Sequence, residues 1–368
     1  MNRSKGLCKQ TVYGKTMWLK TTSKHMQPIK KLVLLFAVSL PATFACAQDI
    51  NFSQFYDLPL LRNPSLAGIF VGDVRITSAY RNQWQSVTVP YRTFGLGAEF
   101  KKPVSESSDD FFTYGIQLTN DIAGDSRLSR TQAFPVFNYH KALSGDKNTY
   151  LSAGIMGGPV MQRFDPTKLA FDDQYVNGAY SPANPTKQTF TSNKMTYWDG
   201  TAGLCFSSVA GESTHYYIGV GLFHFTSPKV AFQKTNDVIL NKKWVVNAGF
   251  AAPISDNDRL VMYLDYFMQG GARQGQGGLM INHDLVQYDE DQKISISGGL
   301  YYRWKDAFMP VVKLDYYDYS IGMSYDVNSS KLKSASQYRG AYEVTLSYKA
   351  FNNKYNTSAN KVKCPLFY

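Results

Sequence analysis

From Asp73 onward the chain repeats segments of about ten residues in which apolar and polar side chains alternate, each closed by a cluster of turn-forming residues. A period of two sends successive side chains to opposite faces of a strand, so every segment carries one apolar and one polar face. In 73–84, Val74, Ile76, Ser78, Tyr80 and Trp84 alternate with Asp73, Arg75, Thr77, Ala79, Arg81 and Gln83. Ile321, Met323, Tyr325 and Val327 alternate with Gly322, Ser324 and Asp326, and Tyr342, Val344, Leu346 and Tyr348 with Glu343, Thr345, Ser347 and Lys349. The first set in each case suits lipid. The second suits a wet interior, where charges are tolerated when they pair or meet water.

The segments are 73–84, 91–101, 111–121, 127–141, 148–162, 195–208, 214–225, 243–253, 259–269, 273–285, 292–303, 306–316, 318–327 and 338–350. That is fourteen, an even number as in outer-membrane barrels. The expected fold class is therefore all-β: a transmembrane, outer-membrane antiparallel β-barrel of about 14 strands over 73–351. Merging a pair at the tight turns near Lys305 or Tyr317 would change the count. With both termini of the barrel in the periplasm, the long connections 163–194, 226–242 and 328–337 face outward, while "SGDK", "AGES" and "SDND" turn on the periplasmic side. Aromatics make up 15% of the chain, and Trp84, Tyr91, Trp198, Trp244 and Trp304 lie near strand ends, as interfacial girdles require.

The N-terminus has the layout of an export signal. The run "LVLLFAVSLPATFACA" follows Lys30 and Lys31 and ends in Ala45-Cys46-Ala47, so 1–47 reads as a signal peptide, with Met26 the expected true start. Thr43 stands where a lipobox has Leu, so Cys46 is not expected to be lipidated. Residues 1–47 carry eight of the 39 Lys/Arg and no Asp/Glu, leaving 31 against 28, or about +3 for the mature chain. The formal +11 thus belongs mostly to a removed segment, and no concentrated basic face for nucleic acid remains. Cys205 and Cys364 alone persist, too few for a disulfide framework. The mature chain has no apolar run long enough for a membrane helix.

No G-x-S-x-G elbow, H-E-x-x-H pair, phosphate-cradling G-x-x-x-x-G-K or C-x-x-C pair occurs in the mature chain. His140, His215, His224 and His283 are scattered over four segments without metal-ligand spacing, and no catalytic residue, metal site or cofactor is expected. Asp172, Asp173 and 289–291 read as solvated loop acids. "GIMGGP" at 154–159 and "GQGGLM" at 275–280 lie in strand-like runs with no helix following, so they suit tight curvature or close approach of a plug rather than a nucleotide.

Three stretches carry a family resemblance: "FSQFYDLPLLRNPSLAG" directly after the signal, "YRNQW" (Tyr80, Arg81, Asn82, Gln83, Trp84) in the first strand, and the ending "GAYEVTLSY…KCPLFY". Together they resemble the PorP/SprF family of outer-membrane proteins of the type IX secretion and gliding machinery of Bacteroidota. The resemblance implies a non-enzymatic barrel that links periplasmic ring and peptidoglycan-associated components to the outer membrane, anchors exported adhesins with a type B sorting domain, or both. Ser65 replaces the small Ala usual in such a motif, and Leu366 stands where the closing Cys-Pro motif would carry a basic residue. The Asn-Pro motif also occurs in FadL-like transporters of hydrophobic small molecules, the alternative reading. A hydrolytic barrel with a scattered constellation is a third.

The segment 48–72 has neither helical nor strand period and adjoins the first strand, so it reads as a plug or periplasmic cap for a barrel too wide to fill itself. Phe52, Phe55, Tyr56, Leu60 and Leu61 would pack on the inner wall, Asn63-Pro64 would set a turn, and Gly68 would let the chain reverse. Arg75, Arg81, Glu99, Asp265, Arg303, Lys313, Asp315 and Glu343 fall on lumen faces, free to pair with one another or with the plug. Residues 352–368 form a periplasmic tail in which Cys364, Pro365 and Phe367 are the partner-facing candidates. Loops 163–194 and 226–242, with Tyr175, Tyr180, Pro182, Pro185 and Phe190, are the candidate adhesin surface.

Overall fold

Alternation along each strand, carried around a ring, closes the sheet on itself. The computed structural model describes residues 49–351 except 86–88, 106, 145–147, 212, 234–236, 290–291 and 331–332. Its strands are β1 (Val74–Gln83), β2 (Tyr91–Pro103), β3 (Phe111–Ala123), β4 (Leu128–Ser144), β5 (Thr149–Arg163), β6 (Lys194–Ala210) and β7 (Thr214–Phe223). They continue as β8 (Lys243–Pro253), β9 (Asp258–Gln269), β10 (Ala272–Asp289), β11 (Gln292–Arg303), β12 (Ala307–Tyr316), β13 (Tyr319–Asn328) and β14 (Arg339–Ala350). Each pairs antiparallel with its sequence neighbour, and β1 pairs with β14 from Val74 opposite Ala350 to Gln83 opposite Ala341, closing a fourteen-stranded barrel.

The two doubtful turns are real. Lys305 and Tyr317 both take a left-handed backbone, φ 58° and 53°, which reverses the chain within a short turn and keeps β11, β12 and β13 separate. Burial alternates along the strands, strictly in β13 from exposed Tyr319 to buried Asn328, so one face is lipid-directed and the other looks inward. Trp198, Trp244 and Trp304 are exposed on the outer face. The long connections after β5 and β7 share one rim, the outer one by the loop-length rule. Within the first, Tyr175–Val176 and Ala179–Tyr180 form a small hairpin turned by Asn177-Gly178, both at positive φ.

The apolar core lies in the lumen. Phe55, Tyr56, Leu66 and Ile69 of the N-terminal segment cluster with wall residues that include Tyr217, Tyr263, Met280, Tyr301 and Met309, while Leu60 and Ala67 join Phe134, Val136, Met156 and Val160. Residues 49–72 run inside the ring from the outer rim, where Asp49 meets the starts of β4 and β8, to the periplasmic rim, where the Asp73 N–H donates to the Ala350 carbonyl. The described part of the segment does not lie across the base as a cap.

Candidate functional site: the filled lumen and its outer mouth

The N-terminal segment lacks a period because it is three successive 3-10 turns, Phe55–Asp57, Pro59–Leu61 and Pro64–Leu66. Pro59 and Pro64 open two of them, where a missing N–H costs nothing. Asn63 caps the third, its side chain accepting from the Ser65 N–H at 3.0 Å. Gly68 and Gly72, at φ +85° and +101°, bend the chain out toward β1.

Ion pairs tie this segment to the wall at successive depths. Below the outer mouth, Glu343 accepts the Ser53 N–H at 2.7 Å and the Gln54 N–H at 2.8 Å. Arg81 pairs with Asp326 at 2.7 Å and with Glu343 at 3.3 Å, and Arg303 reaches Asp326 at 3.3 Å. At mid-lumen Arg62 makes a two-pronged contact with Asp265, Nη2 to Oδ1 at 2.6 Å and Nε to Oδ2 at 2.9 Å, and donates to the Tyr217 hydroxyl at 2.8 Å. The guanidinium also lies over the Phe55 ring, 5.1 Å from its centroid, and Tyr56 stacks on Tyr263 and Tyr301 at 5.1 Å each. Lower down, Lys313 pairs with Asp57 at 2.7 Å, Arg75 pairs with Glu99 at 2.8 Å, and Glu99 accepts the Gly68 N–H at 2.9 Å. Asn138 donates to the carbonyls of Ser65 and Ala67 at 2.9 and 2.8 Å.

Strand register brings these groups together: Arg75 stands opposite Glu99 across β1 and β2, Arg81 opposite Glu343 across β1 and β14, and Asp265 between Asn247 and Gln276. All the lumen charges read from the sequence point inward. Asp315 bonds to the wall hydroxyls of Ser320 and Ser295 rather than to the plug. Phe52, Phe55, Tyr56, Asn63, Pro64 and Gly68 are all buried. In the "YRNQW" stretch Tyr80 faces lipid beside Tyr342, Arg81 enters the lumen network, Asn82 donates to the Tyr342 hydroxyl, Gln83 accepts from Arg81, and Trp84 packs on Tyr91 beyond the strand end. Cys364, Pro365 and Phe367, with 1–48 and 352–368, lie outside the described residues.

Glycines mark where the plug presses closest. A Cβ on Gly154 would sit 2.6 Å from the Pro64 backbone, and one on Gly203 would overlap the Asn63 amide, which Gly219 and Gly221 also border. Gly95 faces Phe52 and Leu58, and Gly322 faces Gln54. In "GQGGLM" the neighbours are instead wall residues, Tyr266 and Trp304 at Gly275 and Leu264 at Gly277, so close plug approach applies to Gly154 and not there.

Sequence reading missed Asp57, Arg62, Asp326 and the cluster at the outer mouth. There Asp49 accepts from Arg130 Nη1 at 2.8 Å, pairs with His224 Nε2 at 2.8 Å and accepts from Lys243 Nζ at 3.2 Å, while the other imidazole nitrogen of His224 meets Asp199 at 2.5 Å. Burial alone would push the Asp49 carboxyl up; Lys243, Arg130 and His224 outweigh it and hold the group well below the usual carboxylate range. For His224 burial acts downward, and the bonds to Asp199 and Asp49 overcome it, pushing the imidazole up to about 9. Among the described residues no group of three or more His, Cys, Asp or Glu side chains is placed to hold a metal.

A closed ring with a lipid-directed apolar face and a lumen packed by its own N-terminal segment defines a plugged transmembrane β-barrel of the outer-membrane type. The chain belongs to the family of type IX secretion system membrane proteins PorP/SprF, whose model matches residues 45–348. No functionally curated protein matches it. Similar solved structures include a Pseudomonas aeruginosa FadL homologue, with TM-score 0.48 and 9% identity over 78% of this chain and 92% of that one. Another is the Ralstonia pickettii toluene transporter TbuX, with TM-score 0.45 and 10% identity over 80% of this chain and 94% of that one. At that level nothing about function passes from them to this protein.

Proposed function

We propose that this protein is a sealed, non-enzymatic outer-membrane scaffold of the type IX secretion system, delivered by residues 1–47 as an export signal. Its outer loops anchor an exported adhesin with a type B sorting domain, and its periplasmic face, tail included, meets ring or peptidoglycan-associated components. The observation that carries this reading is the filled lumen: a barrel locked through its depth by buried ion pairs offers partners its two rims rather than a passage. The outer rim supports the adhesin role, since Tyr175, Val176, Tyr180 and Phe190 are exposed there on an ordered hairpin and its surroundings.

A transporter of hydrophobic small molecules needs a continuous apolar path. The cavities that border the plug measure about 60 Å³ and 30 Å³, room for a few waters each, and are lined in part by Arg62, Lys243 and Arg75. That favours the scaffold. Photocrosslinkers at Tyr180 and at Phe367 test it: the first should capture an exported adhesin and the second periplasmic components, copurifying in mild detergent. Recovery of the barrel alone from both positions would refute it.

A further inference from the structure

The cluster at the outer mouth is built as a receptor for a carboxylate. Arg130, Lys243 and His224 converge on one carboxylate from β4, β8 and the loop after β7; besides Asp49, the acids beside them among the described residues are Asp199, on the far side of the imidazole, and Asp121, opposite Arg130 on β3 and bonded to Thr93. Without Asp49 the three cations would face two acids, Asp199 and Asp121, neither of which reaches the point where the three converge. The His224 side chain is 3% exposed and Lys243 is 11% exposed, so the donors are preorganised rather than loose surface groups. The walls are apolar: Lys243 lies between Phe223 and Phe267, 5.0 and 5.1 Å from their centroids, and the adjoining cavity touches Phe134, Met156 and Leu61.

Among the described residues, little besides these three side chains holds the group that fills this receptor. Asp49, Ile50 and Asn51 are only half-buried, and among the described residues no backbone hydrogen bond fixes 49–52, whereas from Ser53 inward the plug is tied at each step. Cavities of about 60 and 30 Å³ flank Asp49 and Ile50 on either side. The segment is thus an acid followed by an apolar side chain, laid into a basic slot with apolar walls.

We propose that Arg130, Lys243 and His224 form a carboxylate-binding site at the outer mouth, occupied by the protein's own Asp49 as a tethered ligand and taken over by an acidic residue of a polypeptide arriving at the outer loops. The identity of that polypeptide as an exported protein rests on the function proposed above; the site itself does not. Exchange substitutes one carboxylate for another, so the cations stay paired throughout. It also frees the outer end of the plug, which lets the barrel signal that its loop face is occupied.

The test uses the full-length barrel in detergent and the peptide acetyl-Asp-Ile-Asn-Phe-amide, which copies residues 49–52. Asp49→Asn should bind it at least about tenfold more tightly than the wild type does, because its own ligand no longer competes. The Asn analogue of the peptide should bind neither, and Arg130→Gln or Lys243→Gln added to Asp49→Asn should abolish binding. Equal affinity of wild type and Asp49→Asn for the peptide would overturn the tethered-ligand assignment. Acetate competing as well as the peptide would overturn the polypeptide assignment and leave a site for small carboxylates.

A second readout avoids altering the cluster. With Cys205 and Cys364 replaced by Ser, Asn51→Cys on intact cells should react faster with an impermeant maleimide when the peptide is present. An unchanged rate at saturating peptide refutes displacement. These outcomes stand apart from crosslinking at Tyr180: peptide binding without adhesin capture would sink the proposed adhesin role and leave the site, and adhesin capture without peptide binding would do the reverse.

Discussion

Replacing Arg62 by Met tests whether the plug is held by buried charge. The substitution keeps an unbranched apolar stem near Phe55 and Tyr263 but leaves Asp265, fully buried, with only the Asn247 and Gln276 amides at 2.7 and 3.4 Å. Removing one partner of a buried pair costs about 3–5 kcal/mol, because the remaining charge loses its counterion without regaining water. Arg62 belongs to the plug and Asp265 to β9, so the cost falls on the sealed state alone; when the plug withdraws, water reaches Asp265. At about 1.4 kcal/mol per tenfold, the unsealed population should rise roughly a hundred- to several-thousand-fold. Opening frequency of single barrels in planar bilayers measures this, with heat-modifiable gel mobility reporting that the ring itself remains folded. The double variant Arg62→Met, Asp265→Leu should recover most of the seal, since an apolar pair of similar volume carries no stranded charge. A single variant as silent as the wild type, or a double variant leakier than the two singles combined, would refute the reasoning.

Deleting residues 51–68 should give a barrel that inserts but conducts continuously; conductance and assembly like the intact protein would exclude a sealing role. Gly154→Val should loosen the plug by about 1–3 kcal/mol, since its side chain meets the Pro64–Ser65 backbone, which cannot rotate away, whereas Gly298→Val, with nothing within 4 Å of its Cβ, should leave opening frequency unchanged. The outer mouth should respond to pH. His224 faces Asp49, Asp199 and the Thr226 hydroxyl beyond it, and Asp49 faces Arg130 and Lys243 as well. With the imidazole raised to about 9, its share of the latch is complete below the ordinary histidine value near 6.5 and is lost as pH climbs through about 9. The Asp49 share is present above the ordinary carboxyl value and fades only as pH falls through its lowered one. Maleimide labelling of Asn51→Cys should therefore rise above about pH 9, and His224→Gln should remove that alkaline step.

The wall was legible because lipid imposes a rule that each strand obeys locally. Lys243–Pro253 and Gln292–Arg303 begin and end where alternation places them, and the other strand ends fall within a few residues. The largest departure is β10, which continues to Asp289 past a register shift between Asp284 and Val286, at a rim where water and not lipid faces the strand and alternation carries no signal. Inward parity likewise exposed Arg75, Glu99 and Glu343, because a charge on the lumen face of a strand is visible from its neighbours in sequence. Their partners were not visible. Arg62 and Asp265 are 203 residues apart, and their meeting depends on where β9 stands around the ring relative to the second turn of the plug. Nothing near Asp49 distinguishes it from any acid following a signal, and its three cations come from separate strands and a loop.

The way the plug is held also sets the order in which it can leave. A fourteen-stranded ring is too wide for side chains from opposite walls to fill it, so the segment supplies the missing core and the wall supplies carboxylates for its backbone. Glu343 and Glu99 serve main-chain N–H groups of Ser53, Gln54 and Gly68, contacts that any sequence could make, while Asp49, Asp57, Arg62 and Asn63 make contacts specific to their side chains. At the periplasmic end the segment is covalent with β1 and tied to β14 through Asp73 and Ala350, so release cannot start there. Among the described residues it starts at Asp49, whose cluster is partly exposed, and then undoes Ser53 and Gln54 before reaching Arg62, 4% exposed, and Asp265. A ligand that takes the outer site therefore loosens three or four residues at little cost and stops at the buried layer. The barrel thus stays sealed while its outer end is freed, which fits the proposed anchor and not an open channel.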